Sequence, residues 1–147
     1  MWFSRKQVVS QPPEAGPAVT GQITTKSRGD AAESAALAIL LRAGLQLVER
    51  NFRTPGRGGG EIDLVMRAPD RTLVFVEVRQ RAGSSHGGAG ASIGAVKQQR
   101  IIFAARHYLM RFASPPPCRF DVVLVHGLPG PGTEARIEWL PAAFDAS

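Results

Sequence analysis

Apolar positions along this chain change their spacing several times, and each change marks an element. In "RGDAAESAALAILLRAG", Ala36, Leu37, Ile39, Leu40 and Leu41 form a stripe at helical spacing. Asp30 and Glu33 are placed as a capping box ahead of it, and Gly44 as the residue just past its end. "LQLVERNFR" then alternates Leu45, Leu47 and Glu49 against Gln46, Val48 and Arg50, which predicts a strand, and "TPGRGGG" breaks it. Two β-rich runs follow, Glu61–Arg67 and Thr72–Arg79, joined as a hairpin by Ala-Pro-Asp-Arg. After "AGSSHGGAGASIG", expected to be a mobile loop, a second helix is predicted over Ser92–Phe112 with Ser92 as its N-cap. Its core stripe is Ile101, Ala104, Ala105, Tyr108, Leu109 and Phe112, and Pro115 to Pro117 end the region. "RFDVVLVH" reads as a strand, "GLPGPG" as a turn and "EARIEWL" as a final amphipathic edge strand. The order α-β-β-β-α-β-β belongs to the α/β class, a small mixed sheet flanked by helices. The second helix is long enough to act as a crossover, laying "RFDVVLVH" parallel to "TLVFVEVR".

Composition sets the boundaries. Residues 1–28, rich in Gln, Pro, Gly, Thr and Ser, are expected to be a disordered tail, leaving one domain over 29–147. A hydrophobic share of 44% suits a globular core. The single cysteine, Cys118, excludes an internal disulfide framework and every multi-cysteine zinc module, and agrees with a reducing compartment. The N-terminus has no apolar export segment and no run spans a bilayer, so the expectation is a cytoplasmic protein with no membrane partner. A net charge of +6 and a pI near 10.7 favour an anionic partner, nucleic acid first; arginine-rich usage without any partner is the plainer alternative.

Asp63 sits within Ile62–Leu64–Val65–Met66, where neither turn chemistry nor capping explains a carboxylate. Alternation puts Glu61, Asp63 and Val65 on one face, and Leu73, Phe75, Glu77 and Arg79 on one face of the next strand. A hairpin turning about Asp70 sets Asp63 opposite Glu77, with Cβ atoms about 4.5–5.5 Å apart. Two bare carboxylates repel at that distance, and a divalent cation converts the repulsion into coordination. Two carboxylates with positions left open suit Mg²⁺, or Mn²⁺, holding a phosphate. Arg79 and Arg81 continue the row as cations, and Lys97 and Gln98 extend the second helix's stripe back to its first turn. Each has a structural alternative: solvated strand ends for Glu61 and Glu77, capping for Glu33, a snorkelling Lys97 and charge-quieting arginines. His86, His107 and His126 show no ligand spacing, Ser84 and Ser85 no nucleophile elbow, and the Gly-rich loop no P-loop ending. Arg119 and Asp121 are expected to form a strand-end ion pair.

"GDAAESAALAILLRAGLQLVERNFR", "GEIDLVMR", "LVFVEVRQR", "AVKQQRI" and "RFDVVLV" together resemble the YraN-like family of bacterial proteins, over about Gly29 to Phe144. That family is related by motif to Holliday junction resolvases and the PD-(D/E)xK nucleases. The resemblance implies a restriction endonuclease-like core with acids at the edge of a phosphate-sized cleft. It maps the two motif acids onto Asp63 and Glu77, the motif lysine onto Arg79, a helix-one glutamate onto Glu33, and cationic and amide positions onto Lys97 and Gln98. Arg79 departs from the motif, and Lys97 is the candidate for the missing ammonium. The implied function is a Mg²⁺-dependent nuclease acting on DNA, branched or damaged, with Asp63, Glu77, Arg79 and Lys97 as catalytic residues. Asp63 and Glu77 would hold the metal, Glu33 assisting through water, and Arg79, Arg81, Lys97, Gln98 and Arg100 would contact nucleic acid. A two-fold dimer would suit a junction-like substrate. The alternatives are a non-catalytic DNA- or RNA-binding module of the same fold, and a protein-interaction domain whose acids form structural ion pairs.

Overall fold

Three strands of this chain are apolar on both faces, and they occupy the middle of one sheet. The computed structural model describes residues 25–56, 58–81, 93–127 and 136–146, the first four by backbone alone. Its elements are α1 (Thr25–Arg42), β1 (Gln46–Arg53), β2 (Glu61–Arg67), β3 (Leu73–Arg81), α2 (Ala95–Leu109), β4 (Cys118–His126) and β5 (Arg136–Phe144). The five strands lie in the order β1-β2-β3-β4-β5. β3 and β4 are parallel and the other neighbours antiparallel, so the sheet is mixed and α2 lies in the crossover, as expected.

One helix covers each face. Ala32, Ala36 and Leu40 of α1 pack on Leu64, Met66, Val74, Val76, Val123 and Val125. Ile101, Ala104, Ala105 and Tyr108 of α2 pack on Val65, Leu73, Phe75 and Phe120. Phe75 meets Tyr108 edge-on at 5.9 Å and stacks on Phe120 at 5.6 Å, and burial of each such side chain stabilises by roughly 1.5–3 kcal/mol. The outer strands are mostly accessible, which explains why β1 and β5 alternate while β2, β3 and β4 read as continuous apolar runs. Among the described residues no helix is long and apolar enough to cross a membrane.

Three expectations shift. Helix α1 is already formed at Thr25, inside the segment expected to be a tail, so Asp30 and Glu33 are interior residues and no capping box forms. No proline stands between Thr25 and Asp30, and extending an existing helix is far easier than starting one. The remaining tail, the Gly/Ser loop as far as Ser92, and the "GLPGPG" turn beyond Gly127 lie outside the described residues. Helix α2 begins at Ala95 behind Gly94, whose φ of −63° and ψ of 159° are extended. β5 continues through Pro141 to Phe144; on an edge strand the missing N–H has no ladder partner to lose.

Asp121 fastens β4 to β5. It is fully buried, and its carboxylate accepts from Arg119 Nε at 3.1 Å, Trp139 Nε1 at 2.9 Å and the Ala142 N–H at 2.9 Å. The ion pair with Arg119 is the one expected, and the β5 partners extend it. Register slips between Phe120 and Val122, leaving the side chain to serve where the regular ladder is interrupted. Asp121→Ala would strand a cation and two N–H donors, and is expected to destabilise the protein by about 3–5 kcal/mol in a urea titration.

Candidate functional site

β3 keeps a regular pleat. Leu73 and Phe75 belong to the α2 core and Val74 and Val76 to the α1 core, so Glu77 faces α2. β2 does not keep it. Ile62 packs in the α2 core with Phe52, whereas Leu64, two residues on, packs in the α1 core. The strand rolls over at Asp63. Its neighbour rolls with it: Arg50 pairs with Leu64 and Phe52 with Ile62, which sets Asn51 opposite Asp63, and Asn51 has a φ of 52°. Asparagine tolerates this left-handed conformation better than other non-glycine residues. Glu61, Asp63 and Val65 therefore do not share one face, because that expectation assumed an unbroken pleat.

The roll-over brings Asp63 to β3. Regular β2–β3 pairing ends at Leu64–Val76, and the next position in that register is Asp63 beside Glu77, as expected. Asp63 Oδ2 accepts the Val78 N–H at 2.8 Å, so a side chain takes a strand amide. The two carboxyls lie close enough for each to influence the other's ionisation. Burial, then the Asp63 charge, push Glu77 up to about 8, against the pull of Lys97. Burial also raises Asp63, opposed by the Val78 N–H and by Glu77.

Lys97, in the first turn of α2, reaches Glu77 Oε2 at 3.5 Å. Glu77 Oε1 is buried with no hydrogen-bond partner among the described residues. Glu33 stands off from the pair. Its Oε1 lies 3.8 Å from Arg50 Nη2, and burial followed by the Asp63 charge raises its carboxyl above the usual range. Among the described residues no three acids, histidines or cysteines gather closely enough to hold one ion. Of the three acids, Asp63 and Glu77 meet on adjacent strands, and Glu33 is paired with Arg50 instead. Arg50, its partner, had no role in the sequence reading, and nothing in "VERNF" distinguishes it.

The cations divide. Arg79 is half-buried, two residues beyond Glu77, and makes no ion pair with the described residues. Arg81 is half-buried as well, its carbonyl accepting the Gly127 N–H at 3.0 Å, and the Arg100 side chain is exposed. The Gln98 Nε2 donates to the Ile93 carbonyl at 2.7 Å. That amide holds the entry to α2, which has no side-chain cap. Glu61 pairs loosely with exposed Arg53 at 3.9 Å, the solvated role that was its alternative.

Gly60 sets the distance between the acids and α2. A Cβ there would lie 2.0 Å from the Arg100 carbonyl oxygen, a backbone atom that cannot swing aside. Its N–H donates to Thr54 Oγ1 at 2.8 Å, and its carbonyl accepts the Thr54 N–H at 3.1 Å. Gly60→Ala is expected to destabilise by about 1–3 kcal/mol or more in thermal melts, by forcing α2 away from β2.

The donor chemistry fits a hard divalent cation. Two carboxylates on adjacent strands, one with an unpartnered buried oxygen, leave most positions of an octahedral ion for water or phosphate, the pattern Mg²⁺ favours.

Residues 32–125, which include Glu33, Asp63, Glu77 and Lys97, match the uncharacterised protein family UPF0102. The chain is 78% identical over 149 positions, covering both proteins completely, to a UPF0102 protein of Polaromonas sp.. It is 72% identical, again over the whole of both, to one from Polaromonas naphthalenivorans. A UPF0102 protein of Cupriavidus pinatubonensis is 58% identical over 83% of this chain and 88% of its own. The chain belongs to the UPF0102 family, the YraN-like family its motifs resemble.

Proposed function

We propose that this protein hydrolyses phosphodiester bonds of nucleic acid, DNA before RNA, using Mg²⁺ or Mn²⁺ held by Asp63 and Glu77. The observation that carries the reading is the acid pair itself, brought together on two inner strands and facing a lysine. Such pairs are unfavourable as structure and useful as ligands. The ion, when bound, supplies positive charge for the scissile phosphate and acidifies water.

The chain's own residues do the rest. The Val78 N–H fixes Asp63 in the orientation that meets Glu77. Glu77 would hold the ion as a carboxylate, and Lys97, 3.5 Å away, favours that charged form. Lys97 then stands in for the motif lysine, because Arg79 stays protonated and cannot accept a proton. Arg79, Arg81 and Arg100 neutralise phosphates flanking the cut. A cytoplasmic setting and a two-fold dimer on four-way DNA accord with this chemistry.

The test is incubation of supercoiled and four-way DNA with Mg²⁺ or Mn²⁺. Nicked or resolved product that disappears with chelator is expected, and no cutting of any structured substrate by wild-type protein would overturn the reading. Within it, Lys97→Gln is expected to slow cleavage about 10²–10³-fold, and Arg79→Lys to leave it within about tenfold, in single-turnover assays. Arg79 in the motif lysine's place favours a second reading, a non-catalytic nucleic-acid-binding module. That reading predicts salt-sensitive binding unchanged by chelator and no product.

A further inference from the structure

At the end of β2 and β3 remote from the acids, the β2–β3 turn, the start of β1 and the residues after α2 line an open cavity of about 660 Å³. That size falls within the usual range of small-molecule sites. Arg67 lies four residues along β2 from Asp63, roughly 13 Å away, so the cavity is separate from the carboxyl pair. Its charged lining residues are Arg67 and Arg71, with no carboxylate among them. Neither arginine forms an ion pair with the described residues. Nearby acids are engaged elsewhere: Asp70 Oδ1 accepts the Thr72 N–H at 3.0 Å, and Glu49 pairs with Arg111 at 3.6 Å. Gln46 and Ser114 add hydrogen-bonding groups, and Phe112 adds an aromatic wall.

The turn itself supplies an independent observation. The Ala68 N–H donates to the Thr72 carbonyl at 2.9 Å and the Arg71 N–H to the Ala68 carbonyl at 2.8 Å, closing a three-residue hairpin loop. Its last residue, Arg71, has a φ of 77°. Glycine is what this left-handed position ordinarily carries, and a residue with a Cβ there is strained. Strain of this kind gathers where a side chain serves a ligand.

We propose that this cavity binds a mononucleotide. Arg67 and Arg71 take its phosphate as charge-assisted forks, the Phe112 ring offers a stacking face to its base, and Gln46 and Ser114 offer hydrogen bonds. The site does not depend on the carboxyl pair being catalytic.

Titration calorimetry with nucleoside monophosphates, in chelator to silence metal-mediated binding elsewhere, tests it. Saturable one-site binding is expected, with inorganic phosphate weaker and the unphosphorylated nucleoside undetectable. Arg67→Ala and Arg71→Gly are each expected to weaken binding at least about tenfold. Arg71→Gly is also expected to raise the melting temperature of the ligand-free protein, since it relaxes the backbone while removing the guanidinium. This variant keeps the test decisive if Arg67→Ala folds poorly. Equal binding of the bare nucleoside, unchanged affinity in Arg71→Gly, or no heat with any monophosphate at millimolar concentration would each overturn the assignment.

Discussion

Asp63→Ala is expected to reduce Mg²⁺-dependent nicking of supercoiled DNA by about 10²–10³-fold or more, while the protein remains folded. Two opposed effects meet at this residue. Losing the carboxylate removes an acceptor from the Val78 N–H, which costs on the order of 1 kcal/mol. It also removes the charge that, after burial, does most to raise Glu77. Stability therefore changes little, and activity changes greatly. Asp63→Asn is the sharper variant, because an amide retains the shape and can still accept from Val78 yet cannot supply the anionic ligand. Cleavage assays paired with circular dichroism separate the outcomes. Nicking retained within tenfold in a folded Asp63→Asn protein would remove Asp63 from the chemistry.

The second expected result is a fall in metal-free stability as pH rises from about 5 to 8, reversed by Mg²⁺. Glu77 titrates from 4.5 in the unfolded chain to about 8 in the folded one. Between those values the native state binds a proton that the unfolded state has released. Stability is thus fully present below 4.5 and declines as pH climbs toward about 8. Asp63 and Glu33 are raised as well and act in the same direction. The fall is on the order of 3 kcal/mol. On the proposed reading Mg²⁺ would bind only the ionised pair, so its stabilisation would grow over the same window; at a hundredfold excess over Kd it would be worth about 2.7 kcal/mol. Glu77→Gln is expected to flatten the metal-free profile and to abolish the Mg²⁺ shift. Thermal melts from pH 5 to 8.5, with chelator and with Mg²⁺, measure both. A metal-free profile that is flat or rising, or a Mg²⁺ shift equal at pH 5.5 and 8, would contradict the coupled-pair account.

Local spacing and chemistry, read along the chain, were enough to place every strand. β2 falls on Glu61–Arg67 as expected, β3 begins one residue after the expected Thr72, and Ile101, Ala104, Ala105 and Tyr108 of the α2 stripe are buried, while Leu109 is half-buried and Phe112 lies past the helix end. The pairing of Asp63 with Glu77 was also legible, because a short hairpin turn fixes register from sequence alone. So was the Arg119–Asp121 pair, two residues apart on one strand. What escaped was set by contacts between distant elements. The roll-over at Asp63 depends on Asn51 across the ladder and on α2 pressing against Gly60. Arg50 meets Glu33 only because α1 crosses that face, and Asp121 finds Trp139 and Ala142 only because β5 returns beside it. Gln98 is drawn to Ile93 by the want of a side-chain cap on α2. Periodicity records which face a residue prefers within its own element. Which partner then meets it is decided when separate elements close on one core, through distances that no single segment encodes.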